Sequence, residues 1–414
     1  MTWTPDELVT FLAKVLYEVA EGGLTLDYAF QKVKRRWRPL ESFKVFYDAS
    51  FDAVRHFFFL KFAASRLFGH FSYRTAAKAW FIYRADALLY NKDMVARFKK
   101  KLLKRAVKKP EEVLAEVEAL SDAVAYLSVK YSYHPSIVEA LLRRFPREEA
   151  ERILAEGNKT WIWLRINTLK ADVDKALKML EAEAEVEPHP KIPFALLVKR
   201  AARPVQYLTA VRSFVAVPQD LASIYAVLSL DPRPGESIID LAAAPGMKTS
   251  LIAQLTEGRA KIVAVDVSAK RVDRMRRLLK LLGAGEYVEV IRADSRRLAA
   301  PRRFDKALLD APCTSSGAFT KEPAVKIYPR LWEADRYSAL QTQLLKNALE
   351  LAEEVTYAVC SILPQEGEEV VKKAAARAEK PHPDLLPSYE EGLGGRTFPH
   401  VHKSEAFFIS KIRH

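Results

Sequence analysis

Thiols are nearly absent from this chain: Cys313 and Cys360 are the only cysteines among 414 residues. Two widely spaced cysteines cannot build a Cys-rich zinc site, and the eight histidines, His400 and His402 among them, offer no metal-ligand spacing. Also missing is any apolar run of the roughly 18 residues that a membrane span needs. The N-terminus, Met1-Thr-Trp-Thr-Pro-Asp-Glu7, lacks the basic and apolar regions of a signal peptide. The expectation is a cytoplasmic monomer whose reducing compartment leaves both thiols free. Asn and Gln total 11, and Met and Cys seven, a bias reported for proteins of hot environments. Only three glycines fall in the first 110 residues, whereas ten of the 14 follow residue 234. That contrast predicts helices first and tight strand-to-helix turns later.

Positive charge is what the chain has in excess, a formal +14, and it is unevenly placed. Residues 1–110 carry 22 Lys/Arg against 10 Asp/Glu, while the remainder carries 44 against 42. A basic module joined to a nearly neutral one predicts a polyanion partner, with RNA, DNA and an acidic membrane surface as candidates. The densest segments are Arg97-Phe-Lys-Lys-Lys-Leu-Leu-Lys-Arg-Ala-Val-Lys-Lys109 and Lys32-Val-Lys-Arg-Arg-Trp-Arg38. Charge runs are usually solvated faces; with a nucleic acid as partner, both read as phosphate contacts.

The length exceeds one ordinary core, so two or three domains are expected. Helical spacing of apolar residues over 6–18 and 50–67 makes 1–110 a helical, basic domain. Pro110-Glu-Glu112 reads as a helix start and marks its boundary. Residues 111–215 read as linker helices and a small α+β subdomain, with 136–144 and 173–183 helical and 160–167 β-rich. An RNA-binding sheet and a plain packing subdomain both fit that pattern. Within 216–414, strands at 237–240, 261–266, 287–294, 305–310 and 355–360 alternate with helices at 269–282, 333–350 and 365–378, and 407–413 closes the chain as a strand. The alternation predicts an α/β, Rossmann-like, doubly wound parallel sheet that binds its ligand beyond the carboxyl ends of the strands.

Asp240, Asp266, Asp294 and Asp310 end the first four of those strands, and Cys360 ends the fifth. One such Asp is more often a helix cap; four at one edge predict a shared pocket. Asp266, ending the second strand, is placed to take ribose hydroxyls. The turn Ala243-Ala244-Pro245-Gly246 lets backbone N–H groups approach a ligand, with Lys248 just beyond. It lacks both the phosphate-loop run and the three-glycine dinucleotide fingerprint. A small-residue turn with strand-end acids fits S-adenosylmethionine, which has no phosphates. If the strands before Cys313 and Cys360 are neighbours, both sulfurs reach one crevice, an arrangement that points to covalent chemistry on a pyrimidine ring. On these residues alone, either cysteine is the nucleophile.

Five segments carry a family likeness: Arg165-Ile-Asn-Thr-Leu-Lys170, Pro218-Gln-Asp-Leu-Ala-Ser223, Asp240-Leu-Ala-Ala-Ala-Pro-Gly-Met-Lys-Thr249, Asp310-Ala-Pro-Cys-Thr-Ser-Ser-Gly317 and Val359-Cys-Ser-Ile-Leu-Pro-Gln-Glu-Gly-Glu368. From about residue 120 to 414 the chain resembles the Sun family of RNA cytosine-5 methyltransferases. Its N-terminal region more loosely resembles the helical RNA-binding domain related to the antitermination factor NusB. The resemblance implies S-adenosylmethionine as cofactor, surrounded by Ala242, Ala243, Ala244, Pro245, Gly246, Met247, Lys248, Asp266, Arg271, Asp294 and Asp310. It implies Cys360 as the nucleophile and Cys313 as the residue that assists product release, with Asp310 and Lys248 beside them. The implied partner is RNA, ribosomal or transfer, and not a membrane. Where the family has Cys-Ala-Ala-Pro-Gly-Gly-Lys, this chain has Ala242 and Met247 in place of the Cys and the second Gly. Glu405-Ala406 stands where the family favours Asp-Gly.

The chemistry explains the residue types. Carbon 5 of cytosine is a poor nucleophile until a thiolate adds to carbon 6 and breaks the aromaticity. Cysteine suits that step, being nucleophilic near neutrality and a competent leaving group afterwards. An acid such as Asp310 can hold the base through N3 and the exocyclic amine. A base must then remove the carbon-5 proton, and Cys313 or a water it contacts is available. Two other readings remain open. One is a DNA cytosine-5 methyltransferase, whose Pro-Cys after the fourth strand nominates Cys313. The other is a non-catalytic RNA-binding or ribosome-assembly factor on a vestigial methyltransferase fold.

Overall fold

The computed structural model describes residues 3–37, 43–374 and 377–413. The chain divides into two compact units, one of residues 1–159 with 318–331, the other of 160–317 with 332–414.

The first unit is helical. Thr4 and Glu7 form a capping box on the helix Pro5–Ala20. That helix buries Leu8, Phe11, Leu12, Val15, Leu16 and Val19, and Phe11 meets Phe30, Trp37 and Phe46 edge-on at 5.3, 5.2 and 4.9 Å. The single helix expected over 50–67 is two, Lys44–Arg55 and Phe57–Phe68, because His56 leaves helical backbone (φ −109°, ψ 21°). Pro110 does begin a helix, Pro110–Glu118, but it is no domain boundary. Val113 packs in the same apolar core as the first helices, and Ala123–Tyr131, Pro135–Leu142 and Arg147–Glu156 belong to the same unit. The segment 318–331 completes it. Arg55 donates to the carbonyls of Asn158 (2.9 Å) and Thr320 (3.1 Å). Lys326, fully buried, donates to the carbonyls of Arg55 (2.7 Å) and Tyr131 (3.2 Å) and to the Asn158 side chain. Burial pushes its pKa well below the ordinary lysine range.

The second unit holds two sheets. β1 (Trp163–Ile166), β2 (Ala184–Pro188), β3 (Ala195–Ala201) and β4 (Ala216–Pro218) form an antiparallel sheet in the order β2-β3-β1-β4, with the helix Val173–Glu181 packed on it. Arg165 on β1 is wholly buried and reaches out of this sheet, Nε to Gln219 Oε1 at 2.6 Å, Nη2 to Ser250 Oγ at 2.8 Å and Nη1 to Gln254. Burial lowers its pKa to about 9. Asn167 donates to the Leu282 carbonyl at 2.9 Å, and Asp220 caps the helix Leu221–Leu230.

The larger sheet contains β5 (Ser237–Asp240), β6 (Lys261–Asp266), β7 (Val288–Arg292), β8 (Phe304–Asp310), β9 (Ala352–Val359), β10 (Ala378–Glu379), β11 (Leu386–Pro387), β12 (Gly395–Thr397) and β13 (Phe407–Arg413). Its order is β11-β12-β13-β9-β8-β5-β6-β7, with β10 beside β13. Side-chain alternation makes two cores. Ile238, Ile262, Ala264 and Leu308 face the helices Leu221–Leu230, Met247–Leu255 and Ala269–Leu281. Ile239, Val265, Ala307 and Leu309 face Ala334–Leu351 and Glu368–Ala374. The five strands β9-β8-β5-β6-β7 are parallel, as expected, but the sheet is mixed overall. β13 runs antiparallel to β9 and is reached through the helix Glu368–Ala374, the short strands β10, β11 and β12 and the four-residue helix Pro399–His402. The helix expected over 365–378 is the shorter Glu368–Ala374, and residues 375–376 lie outside the described residues. Among the described residues, no helix is long and apolar enough to cross a membrane.

Candidate active site

All five parallel strands end at one edge, and the reversal of strand order between β5 and β8 opens a crevice there. A cavity of about 630 Å³ occupies it, within the usual size of a small-molecule site, roughly 300–1,000 Å³. Leu241, Ala242 and Ala244 line it from the loop after β5, Asp266 and Val267 after β6, and Asp294, Ser295 and Arg296 after β7. Asp310, Ala311, Pro312, Cys313 and Ser315 line it after β8, and Cys360 after β9.

At one end the Asp266 carboxylate is buried and faces the cavity. Arg271 Nη1 lies 3.2 Å from it, while Nη2 donates to the Ala244 carbonyl at 2.7 Å, tying the second strand end to the turn. Arg296 donates from Nε to both Asp294 oxygens at 2.9 and 3.0 Å and from Nη2 to Oδ2 at 2.5 Å, which lowers the Asp294 carboxyl to about 2. Asp240 departs from the expectation of a shared pocket. It is buried behind the turn, accepts from Thr249 Oγ1 at 2.7 Å, and does not line the cavity. Burial pushes its pKa up to about 7, against the Thr249 hydroxyl and the Lys248 ammonium. Ala243, Pro245, Gly246 and Met247 likewise shape the turn without lining the cavity. Gly246 has φ +104°, and a Cβ there would come within 3.1 Å of Met275 Cγ, so glycine is needed for the helix behind it. Met247 is the first residue of the helix Met247–Leu255. A buried acid ending the second strand, small residues in the turn and no phosphate loop suit an adenosyl group carrying an amino-acid arm.

The thiols occupy the other end. β8 and β9 are parallel neighbours with Asp310 opposite Ala358, and this register brings the two sulfurs to 3.2 Å. Both cysteines are free and half-buried. Lys248 Nζ lies 2.6 Å from Asp310 Oδ2. Burial opposes its charge, but Asp310, Asp240 and Cys360 together raise its pKa. The Cys360 thiol is held below its ordinary range, chiefly by the hydrogen bond from Cys313, then by the Ser315 hydroxyl and the Lys248 ammonium, against burial and Asp310. Cys313 is pushed well up by its bond to Cys360, by burial and by the Glu366 carboxylate. The surroundings differ too: at Cys360 the Ser315 hydroxyl and the Lys248 ammonium work against Asp310, whereas at Cys313 the Glu366 carboxylate adds to burial.

Sequence reasoning missed the bracket beneath the thiols. Glu366, fully buried, accepts from Thr314 N (2.8 Å), Thr314 Oγ1 (2.6 Å) and Ser361 Oγ (2.6 Å). It thereby joins the residue after Cys313 to the residue after Cys360. Gly317 N donates to the Cys360 carbonyl at 3.0 Å, and a Cβ at Gly317 would fall 2.0 Å from the Ala406 carbonyl oxygen. Arg396 forks Glu368 at 2.9 and 2.7 Å and donates to the Ser361 carbonyl at 2.8 Å. Glu366 and Glu368 stand in the segment 359–368, but a buried acid shows its purpose only once its donors, distant in sequence, converge.

Two family models match the chain: 16S rRNA methyltransferase RsmB/F over residues 227–413, and the RsmF/B-like ferredoxin-like domain over 134–206. Ribosomal RNA small subunit methyltransferase B of Escherichia coli (strain K12) is 32% identical over 312 residues, covering 71% of this chain and 70% of that protein. The chain belongs to the RsmB/F family. It is an RNA methyltransferase, and S-adenosylmethionine is its cofactor. A crystal structure of a methyltransferase homolog protein from Pyrococcus horikoshii aligns over 71% of this chain and 99% of its own, with 28% identity and a TM-score of 0.60. The crystal structure of PH0851 aligns over 100% of both chains with a TM-score of 0.76 at 24% identity, extending the likeness of fold to the helical unit.

Proposed function

We propose that this family member methylates carbon 5 of cytosine in RNA through an adduct between Cys360 and carbon 6. The observation that carries the reading is the pair of thiols 3.2 Å apart at the end of the cavity. S-adenosylmethionine supplies an electrophilic methyl group on sulfonium. Asp266 takes its ribose hydroxyls, and the turn with Arg271 and Asp294 encloses it. Cys360, the thiol held low, adds as thiolate to carbon 6; the S–C bond forms and the ring's electron pair moves onto carbon 5. Asp310, oriented by Lys248, holds N3 and the exocyclic amine where charge develops. Once carbon 5 carries the methyl group, loss of its proton returns the pair to the ring and expels Cys360 as thiolate.

Cys313 serves that second half. Cys313 as thiolate, or a water it contacts, takes the carbon-5 proton as Cys360 leaves. Ribosomal RNA as the substrate is supported by the family description, by the Escherichia coli relative and by the basic helical unit. The test incubates the chain and methyl-labelled cofactor with small-subunit rRNA transcript, tRNA transcript or cytosine-containing DNA, followed by bisulfite sequencing. The expected result is label in RNA at a bisulfite-resistant cytosine; label in DNA alone, or on another atom, contradicts the reading.

A further inference from the structure

The basic run 97–109 is not a row of unpaired cations. Lys99 pairs with Asp86, Lys101 with Asp6 at 3.3 Å, and Lys108 with Glu116. In the run 32–38, Lys32 pairs with Glu18 at 2.6 Å, and Arg38 lies outside the described residues. That second run borders a groove of about 420 Å³ among the helices Pro5–Ala20, Leu26–Lys34 and Tyr73–Tyr83, lined by Lys14, Tyr17, Tyr73 and Arg74 together with Arg36 and the Lys32–Glu18 pair. Tyr17 is 52% exposed and is braced edge-on by Tyr73 at 5.5 Å, whose hydroxyl is held by Glu21. Arg74 is oriented by a neutral partner, Thr10 Oγ1, at 3.1 Å, and Lys14 lies 5.1 Å over the Trp37 ring, so neither charge is cancelled by these contacts. One turn beyond Arg74, the Lys78 ammonium is disfavoured by burial and by Arg74, Arg105 and Lys101, with Asp6 acting the other way. Cations crowded in this way cost stability that a bound anion returns.

We propose that this groove seats a single-stranded segment of the RNA, with its phosphates along Lys14 and Arg74 and one base stacked on Tyr17. The proposal rests on RNA being the substrate and adds where a strand is gripped away from the thiols. Single strands bind through a cationic track with an aromatic face beside it, because every base has a stacking face and every linkage a charge. A duplex offers Tyr17 no free base. An acidic peptide would use the cations and leave the ring idle.

The test uses the full chain and a fluorescent single-stranded RNA oligonucleotide, with anisotropy read across a salt series and S-adenosylmethionine affinity as the check on folding. Lys14→Gln with Arg74→Gln should reduce the slope of log affinity against log salt by about 1.4, two phosphates at roughly 0.7 each. Tyr17→Ala should weaken binding roughly tenfold and leave the slope unchanged. Native RNA affinity and slope in the double variant would remove the groove while leaving RNA as substrate. Absence of salt-dependent binding in the native chain would overturn the substrate reading together with the groove. Equal competition by poly-glutamate, with Tyr17→Ala silent, would assign the surface to an acidic protein instead.

Discussion

Donors from Thr314 and Ser361 converge on Glu366, so one carboxylate fixes the two loops that present the thiols. Glu366→Gln preserves size but turns a donor toward donors. Each charge-assisted bond is worth about 1.5–3 kcal/mol, and disturbing one lowers the single-turnover methylation rate roughly 10–100-fold. S-adenosylmethionine affinity should stay unchanged, since Asp266 and Arg271 at the other end of the cavity are untouched; a parallel fall in affinity would mean general loss of structure. Asp266→Ala should do the reverse and weaken cofactor binding by about 1.5–3 kcal/mol per ribose hydrogen bond lost, and calorimetry giving unchanged affinity would count against that placement. The strand-end acids were legible in the sequence because each follows an apolar run. Which of them face the ligand was not, because the turn folds over Asp240 and Thr249 claims it. The meeting of Cys313 and Cys360 was legible only on condition that β8 and β9 pair, and register decided it.

At the level of elements, two of the segments that carried the family likeness are braces. Arg165 and Gln219 meet across β1 and β4 and reach the helix behind the turn, and Asn167 fastens the same sheet to Leu282. Replacing Arg165 with Met leaves buried polar groups unsatisfied, for a cost of about 2 kcal/mol or more. Calorimetry should show unfolding lowered by roughly 4–8 °C. A second element-level prediction concerns acid. His189, His382 and His402 surround the Tyr225 ring at centroid distances of 6.2, 5.0 and 5.9 Å, and burial lowers all three below their ordinary 6.5. Above pH 6.5 these imidazoles are neutral in both folded and unfolded chains, and their contribution is fully present. Below it the unfolded chain takes up protons that the folded chain resists, so stability falls with pH. Asp240, with its pKa raised to about 7, works in the opposite sense and loses its contribution as pH rises. The comparison is therefore made against His382→Gln/His402→Gln, whose melting temperature should fall less steeply below pH 6.5; parallel curves would refute this assignment. Strand and helix types were legible from periodicity, whereas the antiparallel direction of β13 was not, because alternation along a strand does not carry its direction.

For the molecule as a whole, the chain passes between its two units three times, after residues 159, 317 and 331. The segment 318–331 places Ala324 and Ile327 in the core of the helical unit, and Lys326 in its carbonyl cage. Removing residues 1–110 would cut through that core, so it does not isolate RNA binding. Expressing 160–414 alone should leave 318–331 unprotected, and limited proteolysis should cut there in the fragment but not in the full chain; equal resistance would show that the segment is held otherwise. The basic surplus of the N-terminal region was legible from composition, but the unit's true extent was not, because the distant segment 318–331 completes its core. The proposed catalytic cycle depends on a division of labour between the thiols. The most direct measurement is a denaturing gel of labelled RNA after reaction with Cys360→Ala and Cys313→Ala. Cys313→Ala is expected to transfer a methyl group and then remain linked to RNA, while Cys360→Ala neither methylates nor links. A linked complex from Cys360→Ala with none from Cys313→Ala would reverse the roles, and activity in both without any adduct would contradict covalent catalysis altogether.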